Sequence, residues 1–186
     1  MHPVLFKIGS FPVQSFGLML LLGLGVAAVL VWAKRRKVAL SAVTDLAAPA
    51  FLAAHAVGRI GCLLNGCCYG GECAPGAWYG VRMAETGKLH VPAQLFDSAM
   101  NVGAVLLLLA IERRRVAPLV LTGWALILHG AARFVYEFWR AGSSSTYLGS
   151  LPITEAQATA LVVMIVGAVV LALGVRGKGG IRAATA

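Results

Sequence analysis

Residues 58 to 73 read GRIGCLLNGCCYGGEC and hold an arginine, an asparagine and all four cysteines of the chain. Arg59 is the kind of side chain that grips a phosphate, because its planar guanidinium fork can meet two oxygens at once. Cys62, Cys67, Cys68 and Cys73, spaced C-x4-C-C-x4-C, offer thiol chemistry: a structural disulfide, a nucleophile or a redox centre. Adjacent Cys67 and Cys68 do not readily bond to each other. The spacing matches none of the usual two-pair zinc patterns, so no metal or cofactor is assigned, and a zinc or iron–sulfur site stays behind the disulfide and thiolate readings. A second group lies in HGAARFVYEFWR, where His129, Arg133, Glu137 and Arg140 follow at intervals of four, four and three and so share one helical face. His55 and Arg59 are four apart as well. Two helices thus each present an arginine, a pairing suited to an anionic phosphate.

The elements that carry these residues are membrane helices. Of 186 residues, 59% are hydrophobic and 12% charged, and the mean hydropathy is +0.82, outside the range of soluble domains. A helix needs about 20 apolar residues to cross a hydrocarbon core of about 30 Å. Runs of that kind fall at residues 13–33, 41–64, 95–111, 116–139 and 156–175. The expected fold is therefore an all-α polytopic bundle of about five transmembrane helices, forming one integral membrane domain over residues 1–186. Residues 65–94 are its single long polar connection. The first run ends in Lys34-Arg35-Arg36-Lys37 without a small-residue cleavage pattern, so it reads as an anchor rather than a removed signal.

Ten of the 16 Lys and Arg sit at residues 34–37, at 113–115, and at Arg176, Lys178 and Arg182. Five spans put all three clusters on one side, which the positive-inside rule makes the cytoplasm. The N-terminus then lies outside, the C-terminus inside, and the Cys- and Gly-rich stretch 65–94 in an external loop. The net charge of +9 reflects orientation and attraction to anionic head groups, not a nucleic-acid partner. An arginine within a span costs about 2.5 to 3.5 kcal/mol on insertion scales, so Arg59 and Arg133 call for partners or a ligand. The phosphate available at their depth is a phospholipid head group. Arg133 can instead pair with Glu137, and Arg140 can reach the interface.

HPVLFKIGSFPVQSFGLM at the start, GRIGCLLNG followed by Gly70, PAQLFD from Pro92, HGAARFVYEFWR, and Gln157 at the head of the last run occur in an order that resembles the prolipoprotein diacylglyceryl transferase family. The resemblance runs along nearly the whole chain. It implies a multi-pass enzyme of the bacterial cytoplasmic (inner) membrane that moves a diacylglyceryl group from phosphatidylglycerol to a thiol, the lipobox cysteine of a prolipoprotein. It places the family's two essential arginines on Arg59 and Arg133, and further motif positions on Asn65, Gly70, Gln94, Glu137 and Arg140, expected to bind substrate. The arginines would hold the lipid phosphate and stabilise the charge on departing glycerol phosphate. A base must free the thiolate that attacks the glycerol carbon.

The chain departs from the family in several places. Five runs stand where the family has seven, and the His-Gly-Gly-Leu segment that supplies a histidine has no counterpart. His55, His90 and His129 remain as bases, and His90, His129 and Cys67 join the arginines as catalytic candidates. Phe16 replaces a tyrosine, Cys62 the signature's first asparagine and Cys67 an acidic residue. Two other readings stand beside the transferase: a membrane thiol/disulfide redox protein using Cys62, Cys67, Cys68 and Cys73, and a non-catalytic lipid-binding relative.

Overall fold

The computed structural model describes residues 4–8, 11–14, 29, 31–83, 86–114, 116–140 and 153–183, with backbone alone for 4–8, 11–14 and 177–183. The chain divides into two compact units, Met1–Val43 and Thr44–Ala186. In the first, β1 (Val4–Ile8) and β2 (Phe11–Gln14) form an antiparallel hairpin with Lys7 opposite Pro12 and an irregularity between Val4 and Phe6. Residues 31–35 are helical and end in a turn at Lys37, whose φ of 55° lets Val38 donate back to the Ala33 carbonyl at 2.9 Å. Most of the expected first span, including Phe16, lies outside the described residues.

The second unit is mostly helical. Its elements are α1 (Leu40–Leu64, which begins at the end of the first unit), a short antiparallel pair β3 (Val81–Arg82) and β4 (Leu89–His90), then α2 (Ala93–Glu112), α3 (Val120–Trp139) and α4 (Glu155–Ala183). Three stretches are long and apolar enough to cross a membrane: Leu40–Leu64, Ala93–Glu112 and Glu155–Arg176. They coincide with three of the five expected runs. α3 has the length, at 20 residues, but carries His129, Arg133 and Glu137, and those groups lower its apolar character. The strand pairs modify the all-α expectation: β3 and β4 fold the polar connection back on itself, and β1–β2 stands near the N-terminus.

Local chemistry explains the helix ends. α4 starts with a reciprocal cap in which Gln157 N donates to Thr154 Oγ1 at 3.1 Å and Thr154 N donates to Gln157 Oε1 at 3.0 Å. α3 has no cap of its own, and its N-cap Leu119 sits at φ 69°. Asp45 of α1 supplies one: its carboxylate accepts from Leu119 N at 2.7 Å, Thr122 N at 2.9 Å and Thr122 Oγ1 at 2.5 Å. A carboxylate there meets both the orphan amides and the positive end of the helix dipole. Pro49 lies inside α1 four residues beyond Asp45, where its missing N–H leaves the Asp45 carbonyl without the usual helical donor.

The apolar core joins Ala48 and Leu52 of α1, Ala104 and Leu108 of α2, and Leu121 and Ala125 of α3. α3 meets α4 through glycines. A Cβ on Gly130 would stand 2.6 Å from Met164 Cγ and 2.9 Å from the Ala160 carbonyl, so only glycine allows this approach. α2 is the unusual element. Its buried face continues from Leu108 and Ala104 into Asn101, Ser98, Asp97 and Gln94, and the end nearest the polar connection is thus a polar core.

Candidate active site

Four buried polar side chains on one face of α2 organise the site. Gln94 and Asn101 are fully buried and Asp97 is 1% exposed, so each must find partners inside the protein. Asp97 receives Arg59 Nε and, at 3.3 Å, His55 Nε2 from α1 on Oδ2, and Asn101 Nδ2 at 2.9 Å on Oδ1. The four-residue spacing of His55 and Arg59 thus brings both to one carboxylate. Ser98 Oγ donates to the Ala56 carbonyl at 2.9 Å and ties the same two helices together.

α3 contributes the second arginine. The guanidinium carbons of Arg59 and Arg133 lie 4.3 and 5.0 Å from the centroid of the Tyr136 ring, both over it. One buried aromatic ring therefore gathers two cations from different helices. Arg133 Nη1 also meets Glu137 Oε2 at 3.0 Å, and Arg140 Nη1 approaches the same oxygen at 3.9 Å. The pairing of Arg133 with Glu137 is formed, and it coexists with the arginine pair. In this network three guanidiniums meet two carboxylates, a balance that favours an added anion.

His129 lies deeper on the same face of α3. Asn101 Nδ2 donates to the Asp97 carbonyl at 2.8 Å and to its carboxylate, which fixes the amide so that its oxygen faces the 3.3 Å contact with His129 Nδ1. The acceptor on Asn101 requires Nδ1 to carry the proton and leaves Nε2 with a lone pair. The His129 ring is T-shaped against His55 at 4.9 Å and against Phe51 at 5.4 Å. It also lines two cavities of about 360 Å³ each. One runs between α3 and α4 past Arg133, Ala156 and Thr159, and the other is an apolar groove past Phe51, Ala125 and Leu126.

The polar connection closes one end of the site through its backbone. Gln94 Nε2 donates to the Cys67 carbonyl at 2.6 Å, and Tyr136 Oη donates to the Cys68 carbonyl at 3.0 Å. The Gln94 side-chain oxygen is buried and has no hydrogen-bond partner among the described residues. Gly70 sits where the connection crosses the end of α3: its N donates to the Val91 carbonyl at 2.8 Å, and a Cβ would collide with the Trp139 carbonyl.

The structure therefore brings together Arg59, Arg133, His129, Gln94, Glu137 and Arg140 of the expected set. The remaining residues fall differently. Asn65 is exposed at the end of α1. Both ring nitrogens of His90 are engaged, Nδ1 by the Gly70 carbonyl at 3.1 Å and Nε2 by Thr86 Oγ1 at 2.9 Å, and its ring packs on Tyr69, so it holds the β-hairpin to the turn. The four cysteines are unbonded in this structure, and they do not lie as one group of four. Cys62, Cys67 and Cys68 cluster, while Cys73 lies by β4, its N donating to the Leu89 carbonyl at 2.8 Å. Sequence reasoning missed Tyr136, Asp97, Ser98 and Asn101. Polar residues at positions 94, 97, 98 and 101 of an apolar run were the available signal, since that spacing marks one inward face.

Comparison with known proteins identifies the family to which these residues belong. The family model described as prolipoprotein diacylglyceryl transferase matches residues 22–173. The phosphatidylglycerol–prolipoprotein diacylglyceryl transferase of Bacillus cereus (strain B4264) is 31% identical over 152 residues, 77% of this chain and 55% of that protein. The enzyme of the same name from Geobacter sulfurreducens is 28% identical over 161 residues, 86% of this chain and 61% of that protein. The chain thus spans little more than half the length of the curated relatives it matches. With the family match extending over most of its residues, the chain belongs to the prolipoprotein diacylglyceryl transferase family.

Proposed function

We propose that this protein is a membrane transferase that moves a diacylglyceryl group from phosphatidylglycerol to a thiol, with a prolipoprotein cysteine as the acceptor. The observation that carries this reading is the shared Tyr136 ring, which holds Arg59 and Arg133 within reach of one anionic group. The lipid phosphate binds between the two guanidiniums and one acyl chain occupies the apolar groove beside Phe51. Arg140 and Glu137 set the orientation of Arg133, and Asn65 and Gly70 shape the entrance through the backbone turn.

In the reaction the acceptor thiolate attacks the terminal glycerol carbon of the diacylglyceryl group. A carbon–sulfur bond forms, the bond from that carbon to the phosphate oxygen breaks, and glycerol phosphate leaves as an anion stabilised by the arginines. His129 Nε2 takes the thiol proton, and the Asp97–Asn101 pair holds its tautomer. The chain sits in the bacterial inner membrane as a five-span domain, N-terminus outside and C-terminus in the cytoplasm, with the polar connection external. Cys67 is fixed beside the site by Gln94, which donates to its carbonyl.

The test is transfer by the purified full chain in phosphatidylglycerol vesicles to a lipobox peptide, read as a mass increase on the peptide cysteine. The expected result is a diacylglyceryl-modified peptide with wild type and none with Arg59→Ala or Arg133→Ala. Wild-type protein that binds the vesicles yet leaves the peptide unmodified overturns the proposal in favour of a lipid-binding relative.

A further inference from the structure

We infer that Cys62, Cys67 and Cys68 form a binding site for a thiophilic d10 cation, with Zn2+ as the ion to test. Their Sγ atoms all lie within 4.8 Å of one another. Three thiolates on one zinc at about 2.3 Å each require sulfur separations of about 4 Å, close to the spacing already present.

Three further observations favour a built site over chance proximity. Neighbouring cysteines ordinarily point their side chains apart, but Cys68 takes φ 62°, a left-handed conformation that is costly for a residue with a Cβ. That turn returns Cys68 Sγ to the side of Cys67 and Cys62. The backbone on which it turns is clamped from below, at the Cys67 carbonyl by Gln94 and at the Cys68 carbonyl by Tyr136, so the ligands are held before any ion arrives. Finally, the cluster is odd in number. One disulfide would consume two thiols and strand the third, whereas one cation uses all three.

Charge and chemistry point the same way. Binding M2+ to three thiols releases three protons and leaves a complex of net charge −1. Arg59 stands one turn before Cys62 on α1 and offers a compensating charge. Thiolate donors select soft cations such as Zn2+ or Cu+ over Mg2+ or Ca2+. Cys68 is exposed, so the fourth zinc position opens away from the helices and takes water. The C-x4-C-C run falls outside the usual two-pair patterns because its third ligand is delivered by a left-handed residue rather than by a second knuckle.

The full chain, purified in detergent under reducing, oxygen-free conditions, is loaded with Zn2+, passed through a desalting column and analysed for metal and free thiols. The expected result is about one metal per chain, with loss of three titratable thiols. Co2+ loading is expected to give the thiolate charge-transfer band and the tetrahedral d–d bands. Cys62→Ser, Cys67→Ser and Cys68→Ser each abolish them, and Cys73→Ser leaves them in place. Stoichiometric Cu+ on the same three residues supports the same class of site. Wild-type protein that retains no metal with four thiols free, or that is isolated from cells with a disulfide between two of the three, overturns the proposal. Metal content and spectra are independent of transfer activity, so the site stands or falls separately from the transferase reading.

Discussion

The guanidinium of Arg59 on α1 lies over the ring of Tyr136 on α3, 4.3 Å from its centroid, although the two residues are remote in sequence. The ring also receives Arg133 and donates its hydroxyl to Cys68, so a single side chain couples both arginines to the polar connection. Removing the hydroxyl and removing the ring are therefore different experiments. Tyr136→Phe keeps the cation–π contacts and loses one hydrogen bond of about 1 kcal/mol, which predicts transfer within about tenfold of wild type. Tyr136→Ala frees both guanidiniums and is expected to lower transfer by at least about a hundredfold. Equal loss in the two variants would locate the effect in the Cys68 hydrogen bond instead.

The tautomer of His129 is set through Asn101, which links it to the Asp97 carboxylate. Asn101→Leu removes the acceptor on Nδ1 while leaving the apolar groove intact. The turnover number is expected to fall about a hundredfold with the KM for phosphatidylglycerol little changed. His129→Ala should cost a similar factor, and the double variant little more, because both act on one proton transfer. Full additivity of the two losses would separate Asn101 from the base.

How far the sequence revealed this arrangement depends on the range of the interaction. Contacts within one helix were legible: four-residue spacing put His55 beside Arg59 and Arg133 beside Glu137. Apolar length located three spans to within two residues at most ends. Contacts between helices were not legible. PAQLFD displayed Asp97, but nothing in its neighbours says that it faces Arg59 and Asn101 rather than water. Which sulfurs meet was hidden for a similar reason, since Cys68 is left-handed and no spacing rule encodes that φ. His90 looked like a free base because its partners, Thr86 in a hairpin too short to be recognised in the sequence and the Gly70 carbonyl in the turn that hairpin packs on, are not legible from spacing.

Asp45 should matter to stability and not to chemistry. Its carboxylate takes three hydrogen bonds at the start of α3, where the helix has no cap of its own. Asp45→Ala is expected to cost about 2 kcal/mol, read as a lower thermal midpoint in detergent. Asp45→Asn should recover part of that loss, because an amide oxygen still accepts but carries no charge. Transfer per folded molecule should stay near wild type. A large fall in turnover with an unchanged midpoint would contradict the capping role.

Arg59 has two roles that a single substitution confounds, since it partners buried Asp97 and is assigned the lipid phosphate. Arg59→Ala leaves Asp97 with His55 and Asn101 but without its strongest partner. Breaking a buried ion pair from one side costs about 3 to 5 kcal/mol, so the variant should be both unstable and inactive. The double variant Arg59→Ala/Asp97→Ala removes the stranded carboxylate and should regain most of the stability in thermal unfolding. It should regain no transfer, because no guanidinium then meets the phosphate from α1. Stability and transfer returning together would make Arg59 a structural partner of Asp97 and leave Arg133 to hold the lipid alone.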